Sequence, residues 1–148
     1  IEKGVIRHYL VDLYTACALG LAPHGHARRR DWSSPPGPGI STLVMPGGEE
    51  EGQKLLADLE EGLLVYHFLG AGQGNPYSGR LSANIVLGFL VRHGEIIGRI
   101  KNTMLATDVF ALFRGEGLLA ISKETEEVFG SMVLPFVLAE KIDITARD

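Results

Sequence analysis

Stretches of apolar residues with few interruptions predict strands along most of the chain. Branched and aromatic side chains, which pleated strands favour, are concentrated in residues 5–11, 41–45, 63–69, 81–91, 95–101, 118–122, 130–138 and 139–145. Leucines that fall on one helical face predict a helix over residues 49–61, with glutamates in its first turn. Shorter helices are predicted after Asp12 and Thr107, which are suitable N-cap residues. The pattern predicts an α+β fold: a β-rich, mostly antiparallel sheet or barrel-like core with two or three helices.

Two long loops interrupt this pattern. Residues 23–39 are rich in proline, which removes backbone donors and fixes φ. Residues 70–79 are rich in glycine and predict a connection that needs positive φ. The spacing of the glycines in residues 70–79 does not fit a phosphate-binding loop, because no G-K-[ST] follows. Residues 92–94 are predicted to form a hairpin turn, with Gly94 at positive φ.

Composition narrows the class of protein. The chain has 148 residues, which suits a single domain over residues 1–148. A formal charge of −4 makes nucleic-acid binding unlikely, and the absence of an apolar run of about 18 residues predicts no membrane span. One cysteine fits a reducing compartment, so a cytoplasmic protein is expected. Because Ile1 is not a natural start, the chain is expected to be part of a longer protein.

Few residues suggest catalytic chemistry. His24 and His26 face one side of an extended segment, and Asp31 is a possible third metal ligand, but a polar loop with exposed histidines is favoured. Cys17 could be a nucleophile, although a small buried apolar residue is the favoured interpretation.

The two long loops carry the candidate binding residues. Arg28 begins a run of three arginines, whose guanidinium groups suit carboxylates or phosphates, and Trp32 is a residue type common in interface hot spots. The candidate contacts to a peptide or a partner are His24, His26, Arg28, Trp32, Gly72, Gly74 and Asn75.

Several segments, in colinear order, resemble the TldD/PmbA family. The first covers residues 4–21, which contain Gly4-Val5-Ile6-Arg7-His8-Tyr9-Leu10-Val11-Asp12 and a following Leu-Gly pair. His24-Gly25-His26-Ala27-Arg28 is similar to the family's "T-G-[NH]-A-R" turn, and Met45-Pro46-Gly47 to its "hydrophobic-Pro-Gly" junction. The glycine-rich stretch of residues 70–79 and the Gly94-Glu95-Ile96 hairpin also follow the family's pattern. Departures include Leu81 in an aromatic position and His93 in an asparagine position.

The resemblance implies a subunit of a cytosolic heteromeric metalloprotease that processes or degrades peptides. One subunit in the family carries an H-E-x-x-x-H zinc motif and a C-terminal cysteine ligand, and the other lacks the motif. Here Phe129 falls roughly where that cysteine stands, and a phenyl ring cannot bind zinc. The chain is therefore interpreted as the C-terminal domain of the non-catalytic partner, and Phe129 is expected to face a core.

This interpretation carries expectations about ligands and partners. No cofactor is expected in this chain, and zinc is expected in the catalytic partner subunit. The expected partners are a TldD-like catalytic subunit or a second copy in a homodimer, together with an extended peptide substrate. The alternatives are a domain of an active zinc metallopeptidase and a non-enzymatic modulator of the DNA-gyrase-modulator type.

Overall fold

A computed structural model describes residues 2, 5–72 and 75–146. Within these residues the fold is α+β and β-rich, as predicted, and its sheets are mostly antiparallel and open rather than closed into a barrel. The helices are α1 (Leu13–Leu19), α2 (Gly52–Ala57) and α3 (Val109–Ala111), with a wider helical turn at Leu112–Glu116 and a 3₁₀ turn at Pro76–Ser78. The strands are β1 (Ala27–Arg28), β2 (Gly37–Pro38), β3 (Leu43–Val44), β4 (Glu61–Leu69), β5 (Arg80–Arg92), β6 (Glu95–Arg99), β7 (Thr103–Asp108), β8 (Leu118–Val128), β9 (Met132–Ala139) and β10 (Asp143–Ala146).

The chain forms two compact units. The first unit comprises Ile1–Met45 and Glu127–Val133, and the second comprises Pro46–Glu126 and Leu134–Asp148. The single domain predicted from chain length stays a prediction. None of the described helices is long and apolar enough to cross a membrane.

The first unit is built on α1 and two very short strand pairings. Asp12 caps α1 by accepting a hydrogen bond from the Thr15 N–H at 2.7 Å, and Gly20 ends the helix at a φ of 64°. Both ends agree with the sequence, because a capping carboxylate and a left-handed glycine are local signals. β1 pairs with β2 in an antiparallel hairpin, and β3 pairs in parallel with the start of β9.

The second unit is built on the long central strand β5. β4 lies along one flank of β5, and β7 and β6 pair with the other flank, so that the sheet order is β10-β7-β5-β4 with β6 also on β5. Its core contains Ala83, Ile85 and Leu105, packed against half-buried residues such as Leu63 and Val65.

Three predicted elements differ from the structure. Residues 5–11 do not form a strand, and Val5 makes only an isolated bridge to Glu2. The helix predicted over residues 49–61 is confined to α2. It ends early because the Leu59 and Glu60 carbonyls accept hydrogen bonds from the Gly94 and His93 N–H groups at 2.9 and 2.7 Å.

The third difference is at the helix predicted after Thr107. Thr107 lies in β7, opposite Leu81, and Asp108 caps α3 by accepting hydrogen bonds from the Phe110 and Ala111 N–H groups. Strand β7 itself was absent from the sequence-based prediction, because its pairing partners lie far away along the chain.

Candidate functional site

An open cleft of about 950 Å³ lies in the second unit, and it is the candidate binding site. Its floor is one face of the sheet. Residues paired directly across neighbouring strands share a face, and the register places Ser82 opposite Ala106, with Asp143 of β10 also opposite Ala106. The other face of β5 carries Ala83 and Ile85 into the core.

The floor of the cleft combines polar and apolar side chains, most of them short. Arg80, Ser82 and Asn84 alternate along β5, and each pairs with a residue of β7 that also lines the cleft. Residues with small side chains keep the cleft open, and hydroxyl and amide groups offer hydrogen bonds in both directions. None of these floor residues was singled out from the sequence, because the alternation becomes meaningful only once the buried face of β5 is known.

One flank of β5 is open where it borders the cleft. β4 ends at Leu69, which pairs with Asn84, while β7 pairs with β5 from Arg80 onward on the other flank. In the described part of the chain, residues 80–83 therefore have a strand neighbour on one flank only, although the Arg80 N–H already donates a hydrogen bond to the Ser78 hydroxyl at 3.3 Å. All four of these residues line the cleft. An unpaired strand flank is a template for another extended chain.

The glycine-rich loop over residues 70–79 forms part of the cleft wall. Asn75 accepts a hydrogen bond from the Tyr77 N–H at 3.0 Å, and its carbonyl accepts one from the Ser78 hydroxyl at 2.8 Å. Asn75 lines the cleft. Gly72 is exposed with open space around it, and Gly74 lies outside the described residues.

Gly79 shows why this loop needs glycine at its end. Its φ is 74°, and an added Cβ would lie 2.5 Å from the Phe110 ring. Gly70 also has a positive φ, of 97°. The prediction that the loop is a connection requiring positive φ is thus confirmed at both positions, because side chains are strained there.

Tyr77 projects from the same loop and was missed by sequence reasoning. Its side chain is 90% exposed. An exposed aromatic ring can give an extended ligand a large contact area at low entropic cost. The available signal was its place in the glycine-rich loop, just before the strand predicted over residues 81–91.

The other candidate contacts lie in the first unit, in and beside the β1–β2 hairpin. His24 and Arg28 are exposed and His26 is half-buried. Arg28 pairs with Gly37 through its backbone, and its side-chain stem lies close to Gly39. Of the described candidate residues, four therefore lie in the first unit, whereas Gly72 and Asn75 lie in the second.

Trp32 lies in the loop of this hairpin and is 92% exposed, so it is not a cap on a core. Asp31 fixes the loop, because its Oδ1 accepts hydrogen bonds from the hydroxyl and N–H groups of both Ser33 and Ser34, at 2.7 to 3.0 Å. These bonds, that from the Ser33 hydroxyl foremost, lower the pKa of Asp31 below its ordinary value. Arg29 adds a hydrogen bond to the Ser34 carbonyl at 3.1 Å. The tryptophan is presented to solvent on an ordered loop.

Two expectations about individual side chains are wrong. Cys17 is exposed on α1 rather than buried. Phe129 is 77% exposed rather than in a core. It occupies the turn between β8 and β9 with a φ of 53°, followed by Gly130 at 66°. Two successive positive φ values are typical of a type I′ hairpin turn, and that turn projects the ring outward.

The described residues do not fit a zinc site. Among residues 2, 5–72 and 75–146, no three side chains of His, Cys, Asp or Glu are placed to hold a metal together. Phe129, in the position that the resemblance gives to a cysteine ligand, presents only carbon atoms. No catalytic step through zinc is therefore derived from this chain.

Comparison with known proteins identifies the family. Residues 1–146 match the family described as the PmbA/TldA metallopeptidase C-terminal domain, and the chain belongs to it.

Individual relatives agree with this assignment. The chain is 29% identical over 105 residues to the metalloprotease TldD homologue of Buchnera aphidicola and 27% identical over 105 residues to that of Haemophilus influenzae, covering 71% of this chain in both cases. Its fold is similar to the crystal structure of TldE from Thermococcus kodakarensis, with 25% identity and a TM-score of 0.77 over 96% of this chain. It is also similar to a proposed modulator of a DNA gyrase from Thermotoga maritima, with 25% identity and a TM-score of 0.71 over 98% of the chain.

The chain is short relative to these proteins. It spans 22% of the length of each TldD homologue and 32% of each of the two solved chains.

Proposed function

We propose that this chain is the C-terminal domain of the non-catalytic subunit of a cytoplasmic TldD/PmbA-type metalloprotease. The observation that carries the proposal is Phe129, a side chain without a donor atom, in the position where the resemblance places a zinc-binding cysteine. The structural similarity to TldE supports the same assignment. Zinc and the hydrolytic step then belong to a catalytic partner that carries the H-E-x-x-x-H motif.

The role of this domain is to hold an extended peptide in the cleft. Residues 80–83 offer a flank without a strand partner, and pairing through backbone groups does not depend on the peptide's side chains. The floor around Ser82 and Asn84 receives alternate side chains, and the exposed Tyr77 ring, on the loop that forms part of the cleft wall, adds an aromatic contact. This arrangement suits a complex that accepts peptides of varied sequence.

The partner is expected to contact the first unit. Trp32 stands exposed on a loop fixed by Asp31, and Arg28, Arg29 and Arg30 flank it with positive charge. Tryptophan and arginine are the residue types that contribute most often to interface hot spots. An acidic surface on the catalytic subunit would complete this contact.

A second candidate is a domain of an active metallopeptidase. The curated relatives named metalloprotease TldD homologues favour it. In that case the zinc ligands would come from other parts of the protein, and Phe129 would not correspond to the cysteine ligand.

Co-expression separates the two candidates. The complete protein is produced alone and together with the H-E-x-x-x-H paralogue of the same genome. Co-purification, zinc content and chelator-sensitive peptide cleavage are then measured. A stable complex that cleaves, when this protein alone neither holds zinc nor cleaves, is the expected result. One zinc per chain and cleavage by this protein alone would refute the non-catalytic assignment.

Peptide capture has a separate test, which uses backbone N-methylated peptides. Methylation removes N–H donors, and each lost hydrogen bond costs about 0.5–1.5 kcal/mol. Two alternate N-methyl groups on one edge of a bound peptide are therefore expected to weaken binding about 5- to 160-fold. The same two groups shifted by one residue face the opposite edge and serve as the matched control. Equal affinities for the unmethylated peptide and for both methylated peptides would exclude an added strand.

A further inference from the structure

Two histidines that are distant in sequence meet in the first unit. The ring centres of His8 and His24 are 4.6 Å apart, with the planes inclined by 53°. His26 lies further along, with its ring centre 6.5 Å from that of His24. His8 and His24 are both exposed. His8 was not a candidate from the sequence, because residues 5–11 were predicted to be a strand.

The spacing of the His8–His24 pair suits a shared metal ion. A metal–nitrogen bond of about 2.0–2.1 Å, plus about 1.1 Å from nitrogen to ring centre, places each ring centre about 3.2 Å from the metal. Two imidazoles on one tetrahedral ion then have centres about 5.2 Å apart, and two opposed imidazoles about 6.4 Å apart. With one nitrogen of each ring facing the ion, the observed 4.6 Å would correspond to a ligand–metal–ligand angle of about 90°.

The ring of His26 lies just outside the range of ring-centre separations that two ligands of one ion can have. Its separation of 6.5 Å from His24 exceeds what a shared ion allows unless a ring turns. This agrees with the finding that no three ligand side chains among the described residues are placed to hold a metal. The protein contribution is therefore two imidazoles, with water completing the coordination.

We infer that His8 and His24 form a bidentate site for a divalent transition metal, preferentially Cu²⁺. An angle of about 90° between nitrogen ligands is that of square-planar or tetragonal Cu²⁺ and Ni²⁺, and Cu²⁺ binds nitrogen donors most tightly in the divalent series. Mg²⁺ and Ca²⁺ are excluded as occupants because they require oxygen ligands. The nearest cation in sequence, Arg7, is paired with Glu2 at 3.1 Å. The site is distinct from the family's zinc motif, since it uses neither H-E-x-x-x-H nor the position of Phe129.

The test is a titration of the complete protein with CuCl₂ after chelator treatment and dialysis. It compares wild type with His8→Gln, His24→Gln and the control His93→Asn. His93 is an exposed histidine in the β5–β6 turn with a φ of 48°, a conformation that asparagine readily adopts. Calorimetry measures affinity, and electron paramagnetic resonance counts the nitrogen ligands of bound copper.

The expected result is one saturable copper site with two imidazole nitrogens. Loss of a hydrogen-bond partner of a metal ligand already weakens metal sites about 10- to 100-fold. Each ligand variant is therefore expected to bind copper at least about tenfold more weakly than wild type. His93→Asn is expected to bind copper as tightly as wild type. The loss in the double variant should be smaller than the sum of the two single losses, since either single variant already abolishes chelation. The inference would be overturned if all variants bound copper with equal affinity, or if His93→Asn weakened copper binding as much as the ligand variants do. Either result would indicate an adventitious ion only. A weakening by only one of the two ligand variants would also overturn the inference.

Discussion

Replacing Trp32 by alanine tests the partner surface most directly. The side chain is 92% exposed, so its removal should leave the stability of this protein unchanged within about 0.5 kcal/mol. A tryptophan buries about 200 Å² in an interface, which at about 25 cal/mol per Å² sets an upper limit near 5 kcal/mol. Hot-spot truncations usually cost about 2 kcal/mol or more, a factor of about 30 in Kd. Trp32→Ala is thus expected to weaken binding to the H-E-x-x-x-H subunit at least about 30-fold.

Tyr77→Ala is the matched control, because Tyr77 is a similarly exposed aromatic residue beside the cleft. Its removal is expected to weaken binding of the peptide but not of the subunit. Subunit affinity is measured by surface plasmon resonance or analytical ultracentrifugation, and peptide affinity by fluorescence anisotropy. An unchanged subunit affinity in Trp32→Ala would refute the assignment of this loop to the interface. Equal losses of both affinities in both variants would show that the two surfaces do not have separate roles.

Three further predictions concern stability and pH. Ser122→Ala should lower the free energy of unfolding, measured by urea titration, by about 1–3 kcal/mol. The reason is that the fully buried Ser122 hydroxyl accepts a hydrogen bond from the Phe136 N–H and donates one to the Glu124 carbonyl. The control is Ser131→Ala, an exposed position at which the free energy of unfolding should not change. Phe129→Asn should raise the free energy of unfolding by about 0.5–1 kcal/mol, because asparagine tolerates positive φ better than phenylalanine; a decrease would count against the strained turn. The Asp31 carboxylate has a lowered folded-state pKa, so its contribution to loop order is present above its ordinary value of 3.8 and is lost as the pH falls through the folded value. Trp32 fluorescence, taken as the difference from Trp32→Phe, should change over that acidic range, and the same transition in Asp31→Ala would contradict this mechanism.

The sequence by itself determined the features that depend on local signals. The limits of α1 follow from a capping carboxylate at Asp12 and a left-handed glycine at Gly20. The β5–β6 turn follows from Gly94, whose φ is 77°. Long apolar runs predicted β4, β5 and β9 to within a few residues, because a strand buried on at least one face must carry branched or aromatic side chains. The family resemblance rested on the same local motifs, and the comparisons confirm it.

Tertiary structure decided the features that depend on which residues meet. The helix over residues 49–61 was shortened because distant N–H groups bind the carbonyls of Leu59 and Glu60. The cleft and the flank without a strand partner over residues 80–83 exist because β4 stops at Leu69, while β7 continues along the opposite side of β5. The contact of His8 with His24 joins two irregular segments on either side of α1, and no periodicity in either segment indicates that they meet. Propensity acts within a few residues, whereas binding sites are assembled from pairing and packing across the chain.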